Sequence, residues 1–305
     1  MLTPADIQLL QTAGIKTNFF TGYRGTNAIF GNATTTIPSV KDKETYAWLG
    51  STPRLREWRD ERVPKALLEH GFTIVNKDWE SSLAVDRNAR DDDQYGQVKI
   101  RAAQLGQGAK TDQDLLFAQT VEAGSATACY DGQFFFDTDH AEGASGTQLN
   151  YFNGASYVFG SPAIKAAVTA MQQYKDDTGR IAGFNPDTVM VPSGLGWAAQ
   201  ELLNPSAVNV TTDPSKKILA GRLQIIENPY LTNNGTAANS AWYLLDLSQV
   251  VKPFIYQLRK DFEFVALDKP DSYEAFMRKT FIYGVDARFN FGFGDWRGAV
   301  RLGNT

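Results

Sequence analysis

The residues from Phe281 to Phe293 constrain the fold of this chain more than any others. Phe281, Tyr283, Val285, Ala287, Phe289, Phe291 and Phe293 alternate with Ile282, Gly284, Asp286, Arg288, Asn290 and Gly292. Successive side chains of a strand point to opposite faces, so the pattern predicts one strand with a buried, largely aromatic face. At about 3.3 Å per residue it would run roughly 40 Å, about twice a usual strand. Gly292-Phe293-Gly294-Asp295 ends this strand and opens no helix, so it is not a phosphate-binding turn.

A long helix is the natural companion. Tyr95, Val98, Ala102, Leu105 and Ala109 recur at spacings of three and four, and Leu115, Leu116, Phe117 and Val121 continue the stripe to Gly124. Asp91-Asp92-Asp93 would place carboxylates at its positive end. Gly106 and Gly108 each cost about 1 kcal/mol relative to alanine inside a helix, so a bend or break is expected there. Before this helix, Phe72–Val75 and Leu83–Val85 read as short strands. A long strand beside a long helix suits a flat wall better than a small closed enzyme core.

Residues 160–250 read as a compact α/β module. Ser161 with Pro162 predicts a helix start, Ile164, Val168, Met171 and Tyr174 or Lys175 a buried stripe, and Gly179 a stop. Thr188–Val191 is a strand, and Ser193 opens a helix through Leu195, Ala198, Ala199, Leu202 and Leu203, halted by Asn204-Pro205. Strands follow at Leu223–Ile226 and Ala241–Leu247. No glycine-rich phosphate cradle accompanies them.

Composition narrows the function. With 305 residues, 43% hydrophobic and 21% charged, the chain is long enough for one large or two ordinary domains and too apolar to be disordered. A net charge of −4 argues against coating nucleic acid. No run approaches the about 20 apolar residues that span a bilayer, and Met1–Asp6 shows no secretory signal. One cysteine, Cys129, excludes an intrachain disulfide and implies a reducing compartment. Two histidines, His70 and His140, rule out a three-histidine metal site. Asp137, Asp139 and His140 could be drawn as metal ligands, but no second ligand cluster supports them. The plainer reading is a polar turn after Phe134-Phe135-Phe136.

Two segments read as non-core. Residues 17–46 are rich in Thr, Asn and Gly and should run extended over something else. Between Arg54 and Glu69, nine of sixteen residues are charged, with both signs interleaved and Trp48 and Trp58 nearby. That pattern fits a solvated surface helix or loop, or an arm at an interface, where Trp and Arg are enriched.

Three segments in order then carry a resemblance. They are Tyr46-Ala47-Trp48-Leu49-Gly50-Ser51-Thr52-Pro53-Arg54-Leu55-Arg56-Glu57-Trp58, Cys129-Tyr130-Asp131-Gly132-Gln133 with Asp139-His140, and Tyr243-Leu244-Leu245-Asp246 with Lys252-Pro253-Phe254-Ile255-Tyr256-Gln257. Together they resemble the major head (capsid) subunits of Mu-like bacteriophages, over nearly the whole chain. Ala141 departs from the family's usual proline after the histidine.

The resemblance implies an α+β chain with the tailed-bacteriophage major-capsid fold. Its expected parts are an N-terminal arm (1–45), an extended loop (46–78) and a peripheral domain (79–159) with a spine helix at about 90–124. An axial domain (160–250) and returning peripheral strands (251–305) follow. It implies a structural, non-enzymatic protein without cofactor or metal, which closes into hexamers and pentamers and then an icosahedral head shell around phage double-stranded DNA. Expected inter-subunit contacts are Trp48, Arg54, Leu55, Arg56, Trp58 and Arg59; Phe281, Tyr283, Phe289, Phe291 and Phe293 form the structural core. Expected partners are other copies, a portal protein, and a scaffold and maturation protease as separate proteins, with assembly in the bacterial host cytoplasm, no membrane and no sequence-specific DNA binding. An encapsulin-like nanocompartment shares the fold, and a metal-dependent hydrolase using Asp137, Asp139 and His140 is the enzyme alternative.

Overall fold

The computed structural model describes residues 4–46, 71–92, 96–204, 219, 221–232 and 240–303. The aromatic strand is one fourteen-residue strand, Thr280–Phe293 (β10), buried at every second position from Phe281 to Phe291. It is the centre of a four-stranded sheet ordered β1-β9-β10-β4, built with Thr34–Pro38 (β1), Lys77–Asp86 (β4) and Phe254–Leu267 (β9). Its neighbours β4 and β9 both run antiparallel to it, and β1 joins β9 in parallel. The strand Leu83–Val85 expected from sequence is thus part of a ten-residue strand.

The long helix α4 spans Gln97–Ala123 and lies along the aromatic face. At about 1.5 Å per residue its 27 residues run roughly 40 Å, matching β10. Val98 and Ala102 pack with Phe281 and Tyr283 at one end, and Phe117 meets Phe254 and Phe291 at the other. A five-residue helix, Arg87–Asp91 (α3), precedes it, capped by Asp86, whose carboxylate accepts the Asn88 and Ala89 amides. The expected acidic start is therefore not made: α4 follows Gly96 and has no acidic residue in its first turn. Asp93 and Tyr95 lie outside the described residues.

Two expectations are corrected by one contact. Residues 17–25 are not extended; they complete a helix, Pro4–Gly25 (α1), that packs on α4. Its Thr and Asn side chains bond back to carbonyls four residues earlier (Thr17 to Ala13 at 2.8 Å, Asn18 to Gly14 at 2.8 Å, Thr21 to Thr17 at 2.9 Å), so polar residues are accommodated inside the helix. Ile15 and Phe19 on the opposite side are buried. The predicted break at Gly106 and Gly108 does not occur, because Gly106 is where α1 crosses. A Cβ there would stand 2.1 Å from the Phe19 carbonyl oxygen, and one on Gly22 would stand 2.1 Å from the Ala103 oxygen. Only β1 and Lys43–Tyr46 (β2) are extended in the arm region. Between α1 and β1, the turn Phe30–Ala33 (α2) is held by buried Asp114, which accepts the Ile29 and Phe30 amides at 2.9 Å each.

The second layer is a five-stranded sheet ordered β5-β11-β8-β6-β7. Its strands are Tyr151–Asn153 (β5), Thr188–Val191 (β6), Gln224–Glu227 (β7), Trp242–Leu245 (β8) and Ala299–Gly303 (β11). The sheet therefore takes one strand from before residue 160 and one from the C-terminal segment assigned to returning strands. Helices Ser161–Gln172 (α5) and Ser193–Leu203 (α6) accompany it. Ser193–Leu203 matches the expected helix, except that Ala198 is exposed. The α5 boundaries differ. Gly160 precedes the helix and the Ser161 hydroxyl has no hydrogen-bond partner, so Ser161 is no cap. The helix stops at Gln172 because Asp176 captures the following backbone, accepting the Thr178 and Arg180 amides, while Gly179 (φ 80°) closes that turn.

Candidate functional site

The sequence-derived contact residues Trp48, Arg54, Leu55, Arg56, Trp58 and Arg59 lie outside the described residues. What the structure places is the root of their segment. β2 pairs antiparallel with Phe72–Val75 (β3), Tyr46 opposite Phe72, so residues 47–70 leave and return through a two-stranded ribbon.

The polar face of β10 holds this ribbon. Arg288 pairs with Asp42 (2.6 Å) and Asp78 (3.2 Å), and the Asn290 amide donates to the Val75 carbonyl at 2.8 Å. At Gly292 the missing side chain admits Ile74, whose Cδ1 would stand 2.3 Å from any Cβ. The buried Gln257 of β9 ties the root from below. Its Oε1 accepts the Tyr46 hydroxyl at 2.7 Å, and its amide donates to the Ile74 carbonyl (3.1 Å) and to Asn76 (2.8 Å). Asn76 in turn donates to the Ser39 hydroxyl and the Lys41 carbonyl. Burial, helped by the Glu44 charge, pushes the Tyr46 phenol up to about 12, which keeps it a neutral donor. Amides and a phenol satisfy one another here, so the ribbon leaves the body at a fixed angle. A lone glutamine interrupting the apolar run Phe254–Leu258 is the sequence signal that could have found the site.

The aromatic residues of β10 divide between two buried clusters, Phe281 and Tyr283 in one and Phe289, Phe291 and Phe293 in the other. Phe281, Tyr283, Phe289, Phe291 and Phe293 are all buried; Phe293 stacks on Phe135 (4.5 Å) and Phe289 on Trp79 (5.8 Å).

The proposed ligands Asp137, Asp139 and His140 are not brought together. Asp137 accepts the Phe134 and Thr138 amides of its own turn, and Asp139 is exposed. His140 is wholly buried instead, against Cys129 and Asp131, residues that sequence reasoning quoted without giving them this role. Among the described residues this is the one trio of His, Cys, Asp or Glu whose ligand atoms all approach within 4.8 Å. Their atoms bond to each other: Asp131 accepts His140 Nδ1 at 2.6 Å and the Cys129 thiol at 3.0 Å. Burial acts to raise the Asp131 carboxyl, but these bonds outweigh it and hold the group below its usual range. Burial also pushes the Cys129 thiol far up, which makes it an inert side chain rather than a nucleophile.

Large apolar side chains remain exposed elsewhere: Trp197 on α6, and Tyr273, Phe276 and Met277 on the helix Tyr273–Arg278 (α7) between β9 and β10. Sequence reasoning did not single these out. Among the described residues, no helix is long and apolar enough to cross a membrane.

Comparison with known proteins places this geometry. The family described as "Mu-like prophage major head subunit gpT" matches residues 7–160, 148–231 and 232–304. The Mu-like prophage FluMu major head subunit of Haemophilus influenzae is 30% identical over 296 residues, covering 97% of this chain and 72% of that protein. The major capsid protein of Escherichia phage Mu is 25% identical over 302 residues, 99% of this chain and 75% of its own length. Among solved structures, the procapsid of bacteriophage JBD30 superposes with a TM-score of 0.64 at 27% identity, covering 100% of this chain and 77% of that one. A virus-like particle from Pyrococcus furiosus shares the fold at 11% identity, TM-score 0.56, over 95% of this chain and 98% of that one.

Proposed function

The chain belongs to the family of Mu-like prophage major head subunits, and from that premise we propose that it works wholly through contacts between copies of itself. It is a major capsid protein, a structural component of the virion that builds the icosahedral head shell. The observation that carries this is the family match running from residue 7 to 304, together with the tailed-phage capsid fold over the full length. It favours a phage head over an encapsulin-like nanocompartment.

Hexamers and pentamers close the shell around double-stranded DNA without reading its sequence. Scaffold, maturation protease and portal act as separate proteins, assembly takes place in the host cytoplasm, and no residue performs catalysis. Residues 1–45 serve as the arm and 46–78 as the extended loop. The spine helix and four-stranded sheet make the peripheral wall, and the α/β sheet lies towards the capsomer axis.

The loop carries most of the specificity. Its root is fixed by Gln257 and Arg288, and residues 47–70 reach a neighbouring copy. Trp48, Leu55 and Trp58 bury there, while Arg54, Arg56 and Arg59 meet carboxylates that fix the register. Exposed ion pairs contribute only about 0–1 kcal/mol each, so aromatic burial sets affinity and charge sets the partner. The double reversal Arg56→Glu with Arg59→Glu is therefore expected to leave the subunit folded and block or misdirect assembly. Circular dichroism with electron microscopy of assembly reactions checks this. Normal shells from the double variant would show that the segment is only a solvated surface.

A further inference from the structure

The buried histidine sits at a junction between the two sheets. β10 of the four-stranded sheet ends at Phe293 and β11 of the five-stranded sheet begins at Ala299, joined by the 3₁₀ turn Trp296–Gly298. The His140 ring stacks on Trp296 with centroids 4.1 Å apart and planes 6° from parallel. Asn150, also wholly buried, grips the same turn: its amide nitrogen donates to the carbonyls of Phe135 (2.8 Å), Trp296 (3.2 Å) and Ala299 (3.1 Å).

These bonds fix which atoms carry protons. The Asn150 side chain cannot be turned over, because its nitrogen faces three acceptors and its Oδ1 already accepts the Asp137 amide at 2.9 Å. His140 Nε2 lies 3.2 Å from that oxygen, so Nε2 must donate. His140 Nδ1 lies 2.6 Å from Asp131 Oδ2. Asp131 Oδ1 also accepts the Gln133 amide (3.1 Å) and the Cys129 thiol, the bonding pattern of an ionised carboxylate. These donors hold the Asp131 carboxyl below its usual range, so the ionised carboxylate is the favoured partner and the proton of the 2.6 Å contact is assigned to Nδ1.

We infer that His140 is a doubly protonated, buried imidazolium, paired with Asp131, whose proton locks the Trp296–Gly298 turn between the sheets. The other charges around the turn are engaged elsewhere. Arg297 pairs with Asp295 (2.7 Å) and Glu142 (3.8 Å), Tyr130 donates to Asp295, and the Tyr174 hydroxyl donates to the Leu149 carbonyl. Asp131 is thus the counter-ion of the ring. When the proton leaves to solvent, a ring lone pair faces either the Asn150 oxygen or the Asp131 carboxylate, and that carboxylate is left buried without a cation. The lock is therefore present only while the ring is protonated. The acid limit comes only when Asp131 itself protonates, and its hydrogen bonds move that point down.

The chain has two histidines, so His70→Gln leaves His140 alone for ¹⁵N-histidine NMR. At pH 7 both ring nitrogens are expected at imidazolium shifts, with slowly exchanging ring N–H protons. One protonated and one bare nitrogen at pH 7 would overturn the inference, whether or not Asp131 held the other proton. Hydrogen exchange of Trp296–Ala299, corrected for intrinsic rates, should speed up with rising pH at the same point where the ring loses its proton. Exchange that ignores the ring titration would equally overturn the lock. In Asp131→Asn, which keeps the shape, the ring should be neutral at pH 7; an unchanged imidazolium would remove Asp131 from the account.

Discussion

A carboxylate in place of Phe289 is expected to abolish soluble, assembly-competent subunit. Phe289 is 2% exposed, and its ring lies among Trp79 (5.8 Å), Tyr256 (5.5 Å), Phe262 (6.2 Å) and Phe291 (6.0 Å). Losing a buried phenylalanine costs about 3–5 kcal/mol by itself, and an unpaired buried carboxylate costs more. Whole domains are stable by only about 5–15 kcal/mol, so Phe289→Asp should fall into the insoluble fraction. Val265→Asp, on an exposed position of the neighbouring strand β9, should stay within about 0.5 kcal/mol of the parent. Soluble expression and thermal melting of the pair check this. A soluble Phe289→Asp protein with the parent's melting temperature would contradict the packing described.

The glycines of α4 give the second large effect, with opposite signs two residues apart. Alanine is favoured over glycine inside a helix by about 1 kcal/mol. At Gly108 an added Cβ meets nothing within 4 Å, so Gly108→Ala should stabilise the subunit by up to about that amount. At Gly106 the Cβ would meet the backbone of Phe19 and Tyr23, at 2.1 Å and 2.8 Å. Backbone cannot rotate away as a side chain can, so α1 must lift and expose Ile15 and Phe19. Overpacking costs typically about 1–3 kcal/mol, which exceeds the propensity gain, so Gly106→Ala should be destabilising. Denaturant unfolding of the two variants reads the difference directly. Equal stabilisation by both would mean that α1 does not lie on α4.

That pair also explains what sequence reading reached and where it stopped. The aromatic strand was legible because its period of two comes from one face that is buried and one that is only half-buried. The α4 stripe and α6 were legible because each buries one face. The glycines were misread because local propensity reports only the helix's own backbone, whereas Gly106 answers to a helix some 80 residues away in the chain. Residues 17–25 were misread as extended for the same reason: Thr17, Asn18 and Thr21 are weak helix formers until their side chains bond the preceding turn. Nothing in Ala299–Gly303 says which of two sheets an apolar strand will join. As for sites, Asp137, Asp139 and His140 read as one polar turn; the burial of His140 was not legible, because Cys129 and Asp131 reach it only after the chain has turned through Phe135 and Phe136. Gln257 was quoted only as the end of a resemblance segment and given no role, although it holds the root of the very segment that the charge pattern had marked.

The loop rooted at β2 and β3 is proposed to work on another copy of the chain, and cryo-electron microscopy of shells assembled from this subunit shows where it goes. Closed icosahedral shells are expected, in which residues 47–70 continue the β2–β3 ribbon onto the adjacent subunit, with Trp48 and Trp58 buried against it. Failure to form closed shells, or shells in which residues 47–70 pack on their own subunit, would contradict it.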